Sequence, residues 1–444
     1  MIAIVVSRAD SASVHIGEQL VSLADWNERE DDSLPDGEGG GTVFRTEGFE
    51  LREFDDWHLD MENAAERFSD PDLLVFASRH SGETGPLLTA HHTGNFGEAA
   101  YGGRDRTLAE ACPAAHRRVV RSLADYAPEG YDVGIECTHH GPTDVGAPSM
   151  FVELGSGPEQ WEDAGAARAV ARAILALDGA TPHGERTVVG FGGGHYAPRF
   201  TRVVRETPWA VGHVAADWSL SELGDPAENR DLIEASFERS GADLALLDGD
   251  RPALERVVDS LGHRVVSETW LRECDALPRS LVDRVERELG RIDDGVRFGQ
   301  RADGAEPETI AVGPLPGALI ERARAIDAGA VRERVESATV AFETEQSGTE
   351  VGERAAFADP GDREALVSSL VSILADEYEV EREGGTVVLR DRAFDPALAR
   401  EAGVSEGPAF GRLASGESVE VDGERIDPGR VHRERVERLP IDEV

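Results

Sequence analysis

Four polar clusters hold the side chains best suited to move protons or bind a cation: SRHSGETG at 78–85, AHHTGNFG at 90–97, ECTHHGPTD at 136–144 and GFGGGHY at 190–196. Imidazole and carboxylate are the ligands zinc accepts where thiolate is scarce, and a catalytic site takes about three of them plus an open position. His80, Glu136, His139, His140 and His195 come from three clusters that can converge although distant in sequence. A strand extended through residue 138 puts Glu136 and His140 on one face and His139 on the other. Small residues beside His80, His140 and His195 favour a functional role; His91, His92 and His139 read equally well as ligands or core residues. His15, His58, His116, His183, His213 and His263 read as structural. Glu153 suits a general base or a structural carboxylate, and Asn95 an oxyanion donor or a turn residue. The glycines at 192–194 can cradle a phosphate or oxyanion, or simply turn a strand into a helix. Ser78, Ser81, Cys137 and Thr138 are potential nucleophiles, but no GxSxG elbow surrounds them, which disfavours a triad.

Such groups must be held by elements, and the chain supplies them as apolar runs alternating with longer amphipathic segments. That is the pattern of an α/β domain with a mostly parallel sheet, whose strand ends bind ligands. Strands are expected at 2–7, 73–78, 87–91, 131–138, 151–154, 187–191, 210–214 and 244–247, and helices at 107–126, 159–177, 231–240 and 252–261. The acidic, glycine-rich stretch 31–41 reads as a solvated insertion. Twelve of the thirteen histidines precede residue 267 and only His432 follows. A catalytic core over 1–270 is therefore expected, followed by an α+β accessory domain over 271–444. The latter has helices at 281–289 and 363–378 and a hairpin turning at Gly384 and Gly385.

A length of 444 residues implies two or three domains, and no apolar run is long enough to span a bilayer. The chain is expected to be soluble and cytoplasmic. Three scattered cysteines, Cys112, Cys137 and Cys274, exclude a disulfide framework and a CxxC zinc knuckle, so any metal relies on His and carboxylate. The net charge is −42, from 87 acidic against 45 basic residues, and every basic residue is Arg. At molar salt the Debye length falls to about 3 Å and such a surface becomes tolerable, the signature of a salt-in halophilic archaeon. Apolar periodic segments throughout exclude a disordered acidic chain. The acidity reports the solvent; a nucleic-acid partner stays open, bound through local Arg clusters with little counterion release.

At the same residues the sequence resembles the archaeal-type D-aminoacyl-tRNA deacylases, shared by archaea and plants. The resemblance is carried by SRADSAS, ASRHSGETGPLLTAHHTGNFGEAAYGG, IECTHHGPTDVGAPSMFVELGS, VGFGGGHYAPRF and VGHVAADWSL, and covers residues 1–268. The acidic loop and everything beyond residue 275 depart from the shorter pattern. The resemblance implies hydrolysis of the ester between a D-amino acid and the 3′-terminal ribose of tRNA, by water activated by zinc. It also implies a phosphorylase/hydrolase-like, three-layer α/β/α core with a mixed, mostly parallel sheet. On that reading His80, Glu136, His140 and His195 are assigned to the metal, and His139 and Glu153 to proton transfer. Asn95 is assigned to the oxyanion, and Arg199 with the amides of Gly193 and Gly194 to the phosphate of the terminal nucleotide. Beyond the D-aminoacyl-tRNA substrate no obligate protein partner is implied, and the expected state is a monomer. A zinc peptidase or amidohydrolase, a phosphorylase-like enzyme and a noncatalytic tRNA-binding protein are the alternatives.

Overall fold

All six residues of IAIVVS, strand β1 (Ile2–Ser7), are buried, as befits a strand with parallel neighbours on both sides and covered faces. The computed structural model describes residues 1–441 and separates into two compact units, Met1–Asp275 and the chain from Ala276 onward. In the first unit β1 leads into α1 (Ser11–Leu23), β2 (Asn27–Asp31), β3 (Gly41–Thr46), β4 (Phe49–Phe54), β5 (Leu73–Arg79) and β6 (Leu87–His91). Next come β7 (Gly94–Asn95), β8 (Thr107–Leu108), α2 (Pro113–Tyr126), β9 (Asp132–Ile135), β10 (Ser149–Gly155), α3 (Pro158–Trp161) and α4 (Ala164–Leu175). The remainder of the unit is built on β11 (Thr187–Gly192), α5 (Pro198–Glu206), β12 (Ala210–Ala215) and α6 (Asp217–Leu223), then α7 (Arg230–Glu238), β13 (Leu244–Asp248), α8 (Pro252–Ser260) and β14 (Arg264–Val266).

The fold is mixed α/β, as expected. The larger sheet has the order β2-β3-β4-β1-β5-β10-β6-β9, parallel except at the β2-β3-β4 edge and between β10 and β6. Its helical face carries α1, whose Gly17 approaches Val6, with α4 and α2 alongside. The opposite face is covered differently. Ala3, Val5, Leu74, Phe76 and Phe151 pack there against Met61, Ala64, Ala65 and Phe68 from two short 3₁₀ turns. These turns cover only part of the face, and the candidate site occupies the rest. The smaller sheet, β12-β11-β13-β14, is wholly parallel, with α7 and α8 packed on one face and Phe200 of α5 under Gly190 on the other.

Several expected elements are redrawn by the structure. Strands β2 to β4 were not foreseen: NERED in β2 is almost wholly exposed and has no apolar alternation to betray it. The stretch 31–41 is the ordered link between β2 and β3, tied by Arg52 to the Gly39 carbonyl (2.7 Å) and by Arg8 to Asp36 (2.8 Å). The helix expected at 159–177 is two, because Asp163 starts a new one by accepting from Gly165 and Ala166 N–H. Most consequential, β9 ends at Ile135 rather than residue 138. Glu136 N–H still donates to Ala90 of the larger sheet, but Cys137 N–H donates to His195 and Thr138 N–H to Val214 of β12. Residues 136–138 thus sew the two sheets together.

In the second unit a sheet of Arg297–Phe298, Ala341–Glu345, Glu350–Phe357 and Ala311–Pro314 packs with helices Gly317–Arg324, Ala328–Ala338 and Pro360–Leu374. Helix Arg279–Glu288 and the hairpin of Glu379–Glu383 with Thr386–Phe394 fall where the sequence places them. Among the described residues no helix is long and apolar enough to cross a membrane.

Candidate active site

Five segments converge on the half-covered face of the larger sheet. His80 follows β5, His91 ends β6, Glu136, His139 and His140 follow β9, Glu153 lies within β10, and His195 follows β11. Register explains the meeting. Phe151 is opposite His91 and Glu153 opposite Thr89, so alternation turns all four side chains to one face. His80, Glu136, His139, His140, Glu153 and His195 line a cavity of about 550 Å³ together with Trp57, Arg79 and Tyr101, while His91 is fully buried against His139 and His140.

Three imidazoles form the centre. His91, His139 and His140 have ring centroids 4.3–4.8 Å apart. Each Nδ1 lies against a backbone carbonyl: His92 O at 3.1 Å, Cys137 O at 2.8 Å and Gly141 O at 2.6 Å respectively. A carbonyl only accepts, so each ring carries its proton on Nδ1 and turns the lone pair of Nε2 inward. The three rings offer ligand atoms within 4.8 Å of one another. His91 Nε2 is fully buried without a hydrogen bond, 3.5 Å from Glu153 Oε1. Burial opposes charge on His91, yet Glu153 prevails and raises its pKa, so the surroundings favour a positive charge at that point. His139 is held down to about 4 by burial and then by His91.

Beside this centre His80 bridges two carboxylates, with Nδ1 3.2 Å from Glu136 Oε1 and 3.5 Å from Glu153 Oε2. Burial works against its charge, but hydrogen bonds to both carboxylates override that and raise it to about 10. Both glutamates are fully buried, which favours their neutral form; His195 and His80 pull Glu136 well below the usual range, and His80 and His91 lower Glu153. Glu136 also accepts from Thr89 Oγ1 at 2.5 Å and meets His195 Nε2 at 2.8 Å. Close backbone approach makes room for this packing: a Cβ on Gly155 would lie 2.6 Å from the Cβ of His80.

The residues singled out in sequence do not all share one role. His80, Glu136, His139, His140, Glu153 and His195 are brought together, but His139 does not face away from His140, because β9 stops early and His140 turns back with φ +50°. Of the four assigned to the metal, His140 groups with His91 and His139, His80 with Glu136 and Glu153, and His195 with Cys137 and His139. His91 is the residue that sequence reasoning left out of the set; its alternation with Thr89 along β6 was the available signal. Asn95 is outside the cavity, its amide donating to the Gly102 and Arg104 carbonyls. The glycine turn is filled as well. Gly193 N–H donates to Asp217 at 2.9 Å, the Asp248 carboxylate faces the same glycine, and Arg199 lies against Asp248 and Glu268. Two carboxylates stand where the expectation placed a phosphate. Cys137 is no ready nucleophile, since burial and then Glu136 push its thiol up to about 12.

Comparison with known proteins decides the family. Residues 67–266 match the family model described as D-aminoacyl-tRNA deacylase. A D-aminoacyl-tRNA deacylase of Halorubrum lacusprofundi is 57% identical, covering 100% of this chain and 97% of its own. Another, of Natronomonas pharaonis, is 56% identical over 99% of this chain and 100% of its own. The chain belongs to the D-aminoacyl-tRNA deacylase family. It is thus a member of a family of ester hydrolases, as the sequence motifs indicated. The matched segment contains His80, His91, Glu136, His139, His140, Glu153 and His195, while Trp57 and His58 of the cavity lining precede it. These relatives span both units, so the part beyond residue 275 is shared with them and is no peculiarity of this chain. A crystal structure described as a conserved protein of unknown function is 29% identical with a TM-score of 0.55, covering 61% of this chain and 96% of its own.

Proposed function

We propose that the chain hydrolyses the ester joining a D-amino acid to the 3′-terminal ribose of tRNA, with zinc held by His91, His139 and His140. The observation that carries this is the trio of rings held through Nδ1, with ligand atoms within 4.8 Å of one another, two of the rings lining the same cavity as Glu136 and Glu153. The donor set suits zinc: three imidazoles with backbone partners on their far nitrogens, and at His91 a buried Nε2 without a hydrogen bond, beside a carboxylate that favours positive charge. When bound, zinc supplies Lewis acidity to the ester carbonyl and to water.

The chain's own groups do the rest. Glu153, held ionised, takes a proton from the attacking water as its oxygen bonds to the carbonyl carbon. His80, held protonated, delivers a proton to the 3′-oxygen as the carbon–oxygen bond breaks. Glu153 and His80 face each other at 3.5 Å, so the proton taken by one restores the other. Glu136 fixes His80 and His195. A tRNA substrate implies work in the cytoplasm.

The test is release of amino acid from D-Tyr-tRNA and L-Tyr-tRNA in ~2–3 M KCl, where the acidic surface is screened, with chelator and with added zinc. Cleavage of the D-ester alone, lost to chelator and restored by zinc, supports the proposal; cleavage of neither ester by folded, zinc-loaded protein sinks it. Metal content is an independent readout: one zinc per chain, lost in His91→Ala and His140→Ala.

A further inference from the structure

Six large apolar side chains are exposed among the described residues, and four of them belong to the surroundings of this site. Tyr101 (71% exposed) and Trp57 (37%) line the cavity itself, Tyr196 (37%) meets His80 Nε2 through its hydroxyl at 3.3 Å, and Trp218 (42%) reaches Cys137. Scattered exposed rings need no explanation, but rings gathered at one mouth do.

The mouth is built rigidly. The Arg79 guanidinium lies between two indoles, 4.5 Å from the Trp57 centroid and 4.8 Å from that of Trp161, and Trp161 Nε1 donates to the His80 carbonyl at 3.0 Å. Tyr101 is anchored through its carbonyl, which accepts from Gly141 N–H at 2.9 Å. The next residue, Gly102, has φ +75°, and a Cβ there would be 2.2 Å from the Leu59 carbonyl oxygen. The Tyr101 loop and the Trp57 segment are therefore pressed together at Gly102. Whereas most arginines of this chain are matched to carboxylates, the Arg79 guanidinium has none within 4.0 Å among the described residues, the nearby Asp10 carboxylate accepting instead from the Arg79 backbone N–H at 2.9 Å.

Resting on the deacylase reading, we infer that Tyr101 and the Trp57–Arg79–Trp161 stack form the subsite for the unpaired 3′-terminal base of tRNA, held by stacking. The ester to be cleaved is on that nucleotide's ribose, so its base must sit at the cavity mouth when the carbonyl reaches the histidines. The solvent favours this mode of binding. A chain of net charge −42 repels phosphates at low salt, and at molar salt phosphate contacts release little. Stacking on an aromatic face does not fade with salt and accepts any base. The Arg79 guanidinium, in no ion pair among the described residues, is left for at most one adjoining phosphate.

Binding of the unacylated trinucleotide CCA by the full chain tests this without requiring chemistry. From 1 to 4 M KCl, log Kd should rise with log salt by no more than one phosphate contact allows, a slope of ~0.7. Tyr101→Ala and Trp57→Ala should weaken CCA about tenfold or more, and Tyr101→Phe should restore it. In turnover, Tyr101→Ala should raise KM for D-Tyr-tRNA by a similar factor while kcat changes little. Unchanged Kd and KM in both alanine variants, or a slope of several phosphates, would overturn the inference. Wild-type protein that binds CCA in this manner yet cleaves no D-ester would support the subsite while removing the catalytic reading.

Discussion

His80 owes its place to an absent side chain. Gly155→Ala would set a methyl group 2.6 Å from the His80 Cβ, so the ring must shift away from Glu136 and Glu153. A displacement of about 1 Å at a proton donor costs roughly 10²-fold; kcat for the D-ester should fall by that order while circular dichroism stays native. Glu153→Gln removes the proposed proton acceptor with little change in shape, and kcat should drop by about 10²–10⁴-fold. A second set of buried imidazoles bears on stability. Burial first of all holds His116 and His213 down to about 4, against an ordinary 6.5. The unfolded chain takes up these protons near pH 6.5, the folded chain only near pH 4. Stability is therefore complete above about pH 6.5 and declines as pH falls to about 4, by on the order of 3 kcal/mol for each. Urea unfolding at fixed KCl between pH 7.5 and 4.5 should show this decline, and His116→Gln should flatten it. An equal slope in that variant would rule His116 out as a contributor.

At the scale of elements, the seam at residues 136–138 governs the site. Thr138 Oγ1 lies 3.0 Å from His213 Nδ1 and accepts from Val214 N–H at 3.1 Å, all of it buried. Thr138→Val leaves both partners without their bond, and unfolding free energy should fall by about 1–3 kcal/mol; the proposed zinc site should weaken with it, because His139 and His140 follow directly. This seam was the least legible part of the chain. Strand β1 shows in its run of apolar residues and β6 in LLTAH, and the accessory hairpin is announced by Gly384 and Gly385. No local pattern says that Cys137 and Thr138 must bond to His195 and Val214, because those partners are more than fifty residues away. The early end of β9 in turn hid the shared direction of His139 and His140. His91 was ambiguous because a histidine ending a buried strand looks the same whether it fills the core or faces a cation. Exposed strand β2 was invisible for the opposite reason, since its residues are polar or charged at every position and show no alternation.

For the whole molecule, charge sets the working conditions. With −42 net and a Debye length of about 10 Å at 0.1 M salt, neighbouring carboxylates repel across the surface; at 1 M and above the length is about 3 Å. The melting temperature should climb steadily from 0.1 to 3 M KCl, and a flat profile would mean that arginine pairing already neutralises the surface. The seam between the sheets also has a temporal side. As the chain leaves the ribosome, His80, His91 and His140 emerge long before Val214, whose strand anchors the segment that carries His139 and His140. Until β12 is made, the imidazoles are a loose collection with weak hold on any ion. If zinc is bound as proposed, its uptake is thereby deferred to the end of the first unit's synthesis, and an incomplete chain has no organised site with which to attack the tRNAs crowding the ribosome.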